Sequence, residues 1–493
     1  METTANPLVS QYKQPRELRT LFSIELWERF GFYAVQSLLV LFLSKVYHYS
    51  DAQAYDLFSA YSALIFATPI VGGFLADRYL GFRKAIFFGA ILYIIGFAAL
   101  ASSLPALFHF ALAFLICGNG FFKSCVSSLL GATYEKDDPR RDSGFTLFYM
   151  GINIGAMVAP IVCSWLATTL GWGYAFGAAG VGMLICLTII LTQFKKFGAL
   201  GLPPNPQKLT KRDFLGFSQQ SLIILGTLLV VGFISFLIQH ATLTDYIFDV
   251  FGVLLVVVLV KIAFNHDAVQ RKKIFALILL ILFSVVFWAM FAQVFSSIVL
   301  FSERVVDRHI MNWEMPSSML VSFEGFFVVV FAPIAAALWL RLKNSRWNLS
   351  TPGKFTLSLF LLSSAFLYLM FCIHLTAHSN SLNLVWLIAF YFLVALSELS
   401  ISPIGLSMVT ALAPPNLTGM FMGVWFLALT MGFALGDVLA KLTNIPKTLT
   451  DPIAISQIYG HVYTELGLGT LAIAVLALCL TPSIRRLAGE TIN

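Results

Sequence analysis

The chain has 493 residues, of which 59% are hydrophobic and 11% charged, against roughly 45–50% and 25% in an ordinary soluble protein. That balance excludes a water-soluble globule and reads as an integral membrane protein. The 31 Lys and Arg outnumber the 24 Asp and Glu, a surplus that membrane topology explains without nucleic acid as a partner. Cys117, Cys125, Cys163, Cys186, Cys372 and Cys479 lie in apolar stretches with no CxxC spacing, so neither a disulfide framework nor a zinc site is expected. The first twenty residues are polar and carry Lys13, Arg16 and Arg19. With no apolar core there, no removable signal peptide is expected.

A helix needs about 20 apolar residues to cross a bilayer. Residues 85–122, 143–194, 355–397 and 399–436 contain no Asp, Glu, Lys or Arg. The second stretch holds two helices joined at Gly171-Trp172-Gly173, and the first breaks at Ser102-Ser103-Leu104-Pro105. Cut in this way, the chain gives spans near 18–45, 53–77, 84–103, 105–134, 142–169, 174–194, 216–240, 245–264, 274–301, 316–341, 353–376, 382–411, 417–440 and 462–484. The fold class is therefore all-α and membrane-embedded with fourteen transmembrane helices. With the N-terminus cytoplasmic, 24 Lys and Arg fall on that side. Only Lys45, Arg304, Arg308, Lys441 and Lys447 lie outside, while Arg29 and Lys123 lie within spans. Both termini are therefore expected in the cytoplasm.

The polar linker 195–213, with Pro203, Pro204 and Pro206, marks a boundary between halves. Residues 1–194 form an N-terminal six-helix bundle, 195–273 a linker and an extra hairpin, and 274–493 a C-terminal six-helix bundle. The hairpin, spans 7 and 8, is apolar all round and reads as lipid-facing packing with no part in chemistry. Six plus six spans is the count expected of two similar halves rocking about a site near the bilayer midplane. A faint internal echo supports this: Pro69 precedes Asp77-Arg78, and Pro333 precedes Arg341 and Lys343.

Ionisable groups in hydrocarbon cost at least about 2.5–3.5 kcal/mol each, so each is expected to face a cavity or a partner. Glu25, Glu28 and Arg29 in span 1 are spaced to share one helical face and neutralise one another. Lys123 lies in span 4, Glu398 in span 12 and Glu324 in span 10. Asp437 and Glu465 are nearer span ends, where packing or solvation is the plainer explanation. His374 and His378 have i, i+4 spacing but no third ligand in register, so a solvated helix end is expected there and no metal site. The first half thus offers Arg29 and Lys123 alongside two carboxylates, and the second offers carboxylates alone. A zwitterion with separated ammonium and carboxylate fits such a field.

With these residues in place, the chain resembles the proton-dependent oligopeptide transporter family of the major facilitator superfamily. Its first-helix signature is matched by Glu25-Leu26-Trp27-Glu28-Arg29-Phe30-Gly31-Phe32-Tyr33. Further similarity lies in Gly72-Gly73-Phe74-Leu75-Ala76-Asp77-Arg78-Tyr79-Leu80-Gly81, Gly118-Asn119-Gly120-Phe121-Phe122-Lys123 and Phe148-Tyr149-Met150-Gly151-Ile152-Asn153. It continues in Glu398-Leu399-Ser400-Ile401-Ser402-Pro403 and Gly423-Val424-Trp425-Phe426. The resemblance implies the major facilitator fold and a proton-coupled symporter importing di- and tripeptides into a bacterial cell through the inner membrane. It implies that Arg29 and Lys123 hold the peptide carboxylate, Glu398 and Asn153 the amino terminus, and that Tyr33, Trp288, Ser402, Trp425 and Phe426 line the peptide site. Glu25, Glu28, Arg29 and Lys123 would couple protons, and Asp77, Arg78, Arg83 and Lys84 would latch the cytoplasmic face.

Three departures from the family pattern stand out. Ala292 replaces a frequent Glu, Glu324 a usual Asn, and Phe32 and Phe66 two common tyrosines. Glu324 is expected to assume some of the missing acidic function and to favour peptides with a basic side chain. Protons are the only coupling species expected, with short peptides and membrane lipids as partners, no cofactor, no metal, no nucleic acid and no obligatory protein partner. Without HExxH, GxSxG or a nucleotide loop, an enzyme is not expected. The alternatives are a transporter of an amine, amino acid or nitrate on the same fold, or a membrane sensor that does not translocate.

Overall fold

A computed structural model of the chain describes residues 13–489 apart from 136–137, 139, 215, 343–344, 346–347, 377–380 and 415–416. His378 lies outside the described residues. Among the described residues, fourteen helices are long and apolar enough to cross a membrane, in agreement with the number read from the sequence. Numbered as spanning elements, they begin with α1 (Arg16–Lys45), α2 (Asp51–Leu75), α3 (Phe82–Ala101), α4 (Phe108–Gly131) and α5 (Arg141–Thr169). Next come α6 (Trp172–Gln193), α7 (Gln219–Gln239), α8 (Ala241–Phe264), α9 (Ala268–Ala292) and α10 (Ser322–Leu342). The last four are α11 (Thr351–Leu375), α12 (Leu384–Leu412), α13 (Thr418–Lys441) and α14 (Pro452–Ala488). At about 1.5 Å per residue, even 20-residue α3 covers the ~30 Å hydrocarbon core.

Helix ends follow local chemistry. The α3–α4 break falls at a 3₁₀ turn over Pro105–Leu107, and α6 starts after Gly171, whose φ of 111° suits glycine. Two spans outrun their expected limits. The ninth continues from α9 through Gln293–Phe295 and Ser297–Val305. α14 begins ten residues before the expected start of span 14, where Asp451 caps Ile453 N and Ala454 N and Pro452 occupies the first turn. The polar residues of that first stretch conceal it from an apolarity count, whereas the cap declares it.

Two compact units emerge, one comprising residues up to Val35 with Thr68–Phe236, the other Gln36–Ala67 with Leu237 onward. In the first, α3 packs against α4 and α6. Gly72 on α2 lies so close to α4 that a Cβ would fall 1.9 Å from the Gly120 carbonyl oxygen. α2 ends in a π turn, Ala76–Leu80, closed by Gly81 at φ 72°. The linker docks here: Arg83 N donates to Gly201 O at 3.0 Å and its guanidinium to Gly198 O at 2.9 Å.

In the second unit α11 packs on α14 and α12, and α9 on α13. The α1–α2 tip joins this unit through ion pairs. Arg304 binds Asp51 in a fork at 2.6 and 2.7 Å and also reaches the Tyr459 hydroxyl. Glu303 pairs with Lys45 and, at 3.4 Å, with Arg308.

Gly72→Leu is expected to push α2 off α4 and to lower the thermal midpoint in detergent, since overpacking costs about 1–3 kcal/mol. Gly423→Ala, at a position with nothing within 4 Å, should leave the midpoint in place; equal midpoints for both variants would contradict the close approach.

Candidate binding site

The charges of α1 form a closed network in the first unit. Arg29 grips Glu28 with two hydrogen bonds of 2.5 Å, Nε to Oε2 and Nη2 to Oε1. It lies 3.6 Å from Glu25 Oε1, which also accepts from Lys123 Nζ at 3.0 Å. Glu25 and Glu28 are fully buried and Arg29 nearly so. Buried charge is tolerable only when paired and hydrogen-bonded, and here two cations meet two anions. The Arg29 guanidinium also stands 4.4 Å over the Phe32 ring. That position needs no tyrosine hydroxyl for the contact.

Two members of the network carry roles that sequence reasoning did not assign. The Tyr93 hydroxyl on α3 donates to Glu28 Oε1 at 2.6 Å, and Asn119 Oδ1 on α4 accepts from Arg29 Nη2 at 3.2 Å. Both are buried. The available signal was that a tyrosine hydroxyl or an amide within an apolar span needs a polar partner. Gly155 on α5 admits α1: a Cβ there would lie 2.9 Å from both Arg29 Cβ and Leu26 O. That contact is why α5 carries glycine where it meets α1 beside Arg29.

Lys123 differs from the rest of the network because 30% of its side chain remains exposed. Asn153 is buried and its amide donates to Tyr149 O at 3.0 Å, an intrahelical bond. Tyr33 is half-buried, with its ring edge-on to Phe32 at 5.1 Å.

The second unit holds the acidic wall. Glu324 lies in the first turn of α10, where a carboxylate suits the helix dipole. It is buried and hydrogen-bonded to Glu398 on α12. The two carboxyls thus face each other within the second unit. Pro403 removes the helical donor for the Leu399 carbonyl beside this pair. Trp288 on α9 is buried among Phe287 and Phe291, with its indole N–H unpartnered. Ala292 faces α13, where a Cβ on Gly436 would come within 2.8 Å of its own. This tight seam holds a methyl group, not a glutamate. Trp425 is buried against Phe355 and over Gly405, Ser402 is half-buried, and Phe426 is 42% exposed.

The four residues assigned to the latch divide. Arg83 clasps the linker, and Lys84 Nζ donates to Gln220 Oε1 at 3.1 Å. Asp77 and Arg78 are exposed on the π turn, with Arg78 over the Phe74 ring at 6.0 Å.

A family model described as the POT family matches residues 83–458. The chain belongs to the POT family. Among POT relatives, dipeptide and tripeptide permease A of Cronobacter turicensis is 34% identical over 98% of this chain and 95% of its own length. The permease of the same name from Escherichia coli K12 is 32% identical over 99% and 96%. A mutant of a peptide transporter crystallised with alafosfalin aligns with a TM-score of 0.82 at 27% identity, covering 96% of both chains. A POT family transporter in complex with 5-aminolevulinic acid aligns at 0.81 and 26% identity, over 96% and 97%. These alignments extend the POT architecture to the whole membrane domain.

Tyr93→Phe keeps the ring and deletes the hydroxyl that satisfies buried Glu28. Hydrogen bonds to charged groups contribute about 1.5–3 kcal/mol, so thermal unfolding of the purified variant should show a clear drop; an unchanged midpoint would contradict this bond.

Proposed function

We propose that the chain is a proton-coupled symporter that imports di- and tripeptides by alternating access, in a bacterial inner membrane with both termini cytoplasmic. The observation that carries this reading is the partly exposed Lys123, held by a buried carboxylate that also lies beside Arg29. In the empty protein Glu25 occupies both cations. Protonation of Glu25 or Glu28 weakens that hold and turns Lys123 and Arg29 toward a peptide carboxylate. The reverse exchange returns the network to neutrality once the peptide leaves. Proton and peptide carboxylate are thereby tied to one set of atoms, which is the coupling a symporter requires.

The amino terminus meets Glu398, with Asn153 assisting, so that the arriving ammonium pairs with the Glu398 carboxylate beside Glu324. Glu324, then left with its own charge, favours a peptide that brings a second cation in a basic side chain. Tyr33, Trp288, Ser402, Trp425 and Phe426 surround the side chains. The Arg304–Asp51 fork and the Lys45–Glu303 pair hold the α1–α2 tip, so opening at that end requires both to break. The 83–84 clasp on the linker and the Asp77–Arg78 turn serve the opposite end. Protons are the coupling species, with no other cofactor, and at about 2.3 kcal/mol per charge per 100 mV they supply the work. Pro69, Pro160, Pro333 and Pro403, all inside helices, offer bending points. The reading as transporter rather than enzyme rests on family membership.

A narrower solute class is a second reading, favoured by the relative crystallised with 5-aminolevulinic acid. That molecule too carries an amine and a carboxylate. Labelled dipeptide should accumulate in proteoliposomes only under an acid-outside gradient, and accumulation equal to that of empty liposomes would overturn the peptide reading. Glu324→Gln should lower the uptake ratio of lysine-containing to neutral dipeptides several-fold. A ratio equal to that of the wild type would remove the proposed preference for basic side chains.

A further inference from the structure

Helices α2, α8 and α13 bring one aspartate each to a single point in the second unit, near the end that carries the 46–50 and 442–451 connections. Carboxylate oxygens of Asp56, Asp245 and Asp437 all lie within 4.8 Å of one another. Lys441 Nζ stands 2.6 Å from Asp437 and also pairs with Asp56. Ser59 donates to Asp245 Oδ1 at 3.2 Å. The Asp437 side chain is 1% exposed, and its Oδ1 is buried without a hydrogen-bond partner, as is Asp245 Oδ2. The count of charges does not close, since three carboxylates face one ammonium. Two orphaned oxygens aimed into the same cluster call for a further positive ligand.

A divalent metal ion suits the cluster poorly. It would need six to eight oxygens in the case of calcium, or near-octahedral oxygen geometry in the case of magnesium. It would also sit against the Lys441 ammonium, which already fills the space between two of the carboxylates. A proton needs only one carboxyl oxygen to hold it and a second to accept the bond. We propose that Asp245 and Asp437 form a proton-binding site, with Asp56 and Lys441 as the fixed ion pair beside it, that fastens α8 to α2 and α13 within the second unit. The site is separate from the peptide cavity and does not depend on the transport reading. The charged groups facing Asp245 are Asp56 from α2 and Asp437 and Lys441 from α13. α9 also packs on α8, but its ionisable residues, Arg271, Lys272 and Lys273, are at the opposite end. His240 is exposed at the α8 N-cap.

The test is thermal unfolding of the purified full-length protein in detergent across a range from about pH 5 to about pH 9, wild type against Asp245→Asn. Loss of the shared proton leaves like charges facing each other in a buried place, so the wild-type midpoint should fall toward the alkaline end. The amide in Asp245→Asn supplies a permanent donor. The variant should have a flatter profile and a midpoint higher by about 2 °C or more at the alkaline end. A midpoint below that of the wild type at alkaline pH would make Asp245 an ionised partner of Lys441 and overturn the proposal. Stabilisation of the wild type, but not of the variant, by magnesium or calcium chloride would overturn it in favour of a metal site. Infrared spectra provide a second readout: the C=O stretch of protonated carboxylic acid at neutral pH should lose intensity in Asp245→Asn, or in Asp437→Asn if the first variant does not fold. An undiminished band would overturn the proposal.

Discussion

A buried charge must be neutralised where it stands, and the structure of this transporter is arranged around that constraint. Removing a carboxylate or an ammonium from water costs several kcal/mol even after relaxation. Glu25, Glu28, Arg29 and Lys123 meet this cost collectively, with Tyr93 and Asn119 adding hydrogen bonds to Glu28 and Arg29, while Glu25 Oε2 is buried without one. On the proposed reading, a proton or a peptide carboxylate entering this network singly would leave an unpaired ion and entering together would leave none, so that coupling would rest on electrostatics.

The second unit obeys the same rule differently. It places Glu324 of α10 and Glu398 of α12 side by side. The first unit carries its buried charges as ion pairs, and the second brings two carboxyls together. Ala292 contributes to this division. The seam between α9 and α13 is closed by Gly436 and Gly432, the second so near that a Cβ would come 2.3 Å from Trp288 Cβ. α9 itself carries no acidic residue.

Much of this was legible in the sequence. Apolar length and the distribution of Lys and Arg give fourteen helices, and an ionisable residue in such a helix announces itself, as Glu25, Lys123 and Glu324 do. Tyr93 and Asn119 escaped because neutral polar residues are common in spans and only their neighbours in space reveal their partners. The extra hairpin, with span 8 started at Asp245, reads as inert packing because its residues are apolar all round. The helix in fact starts at Ala241, and Asp245 lies one turn inside it against Asp437. The ion pairs of Lys45 and Arg304 were hidden for a related reason. Counted as loop charges they indicate sidedness, whereas in the fold they hold residues 36–67 to the second unit.

On the proposed reading, Lys123 exchanges the Glu25 carboxylate for that of the solute. The most direct measurement is the affinity of a free dipeptide and of its C-terminally amidated form for the wild type and for Lys123→Ala. The account predicts that amidation weakens binding to the wild type by about tenfold or more, equivalent to ~1.4 kcal/mol, and has little further effect in Lys123→Ala. An equal loss on amidation in both proteins would contradict it.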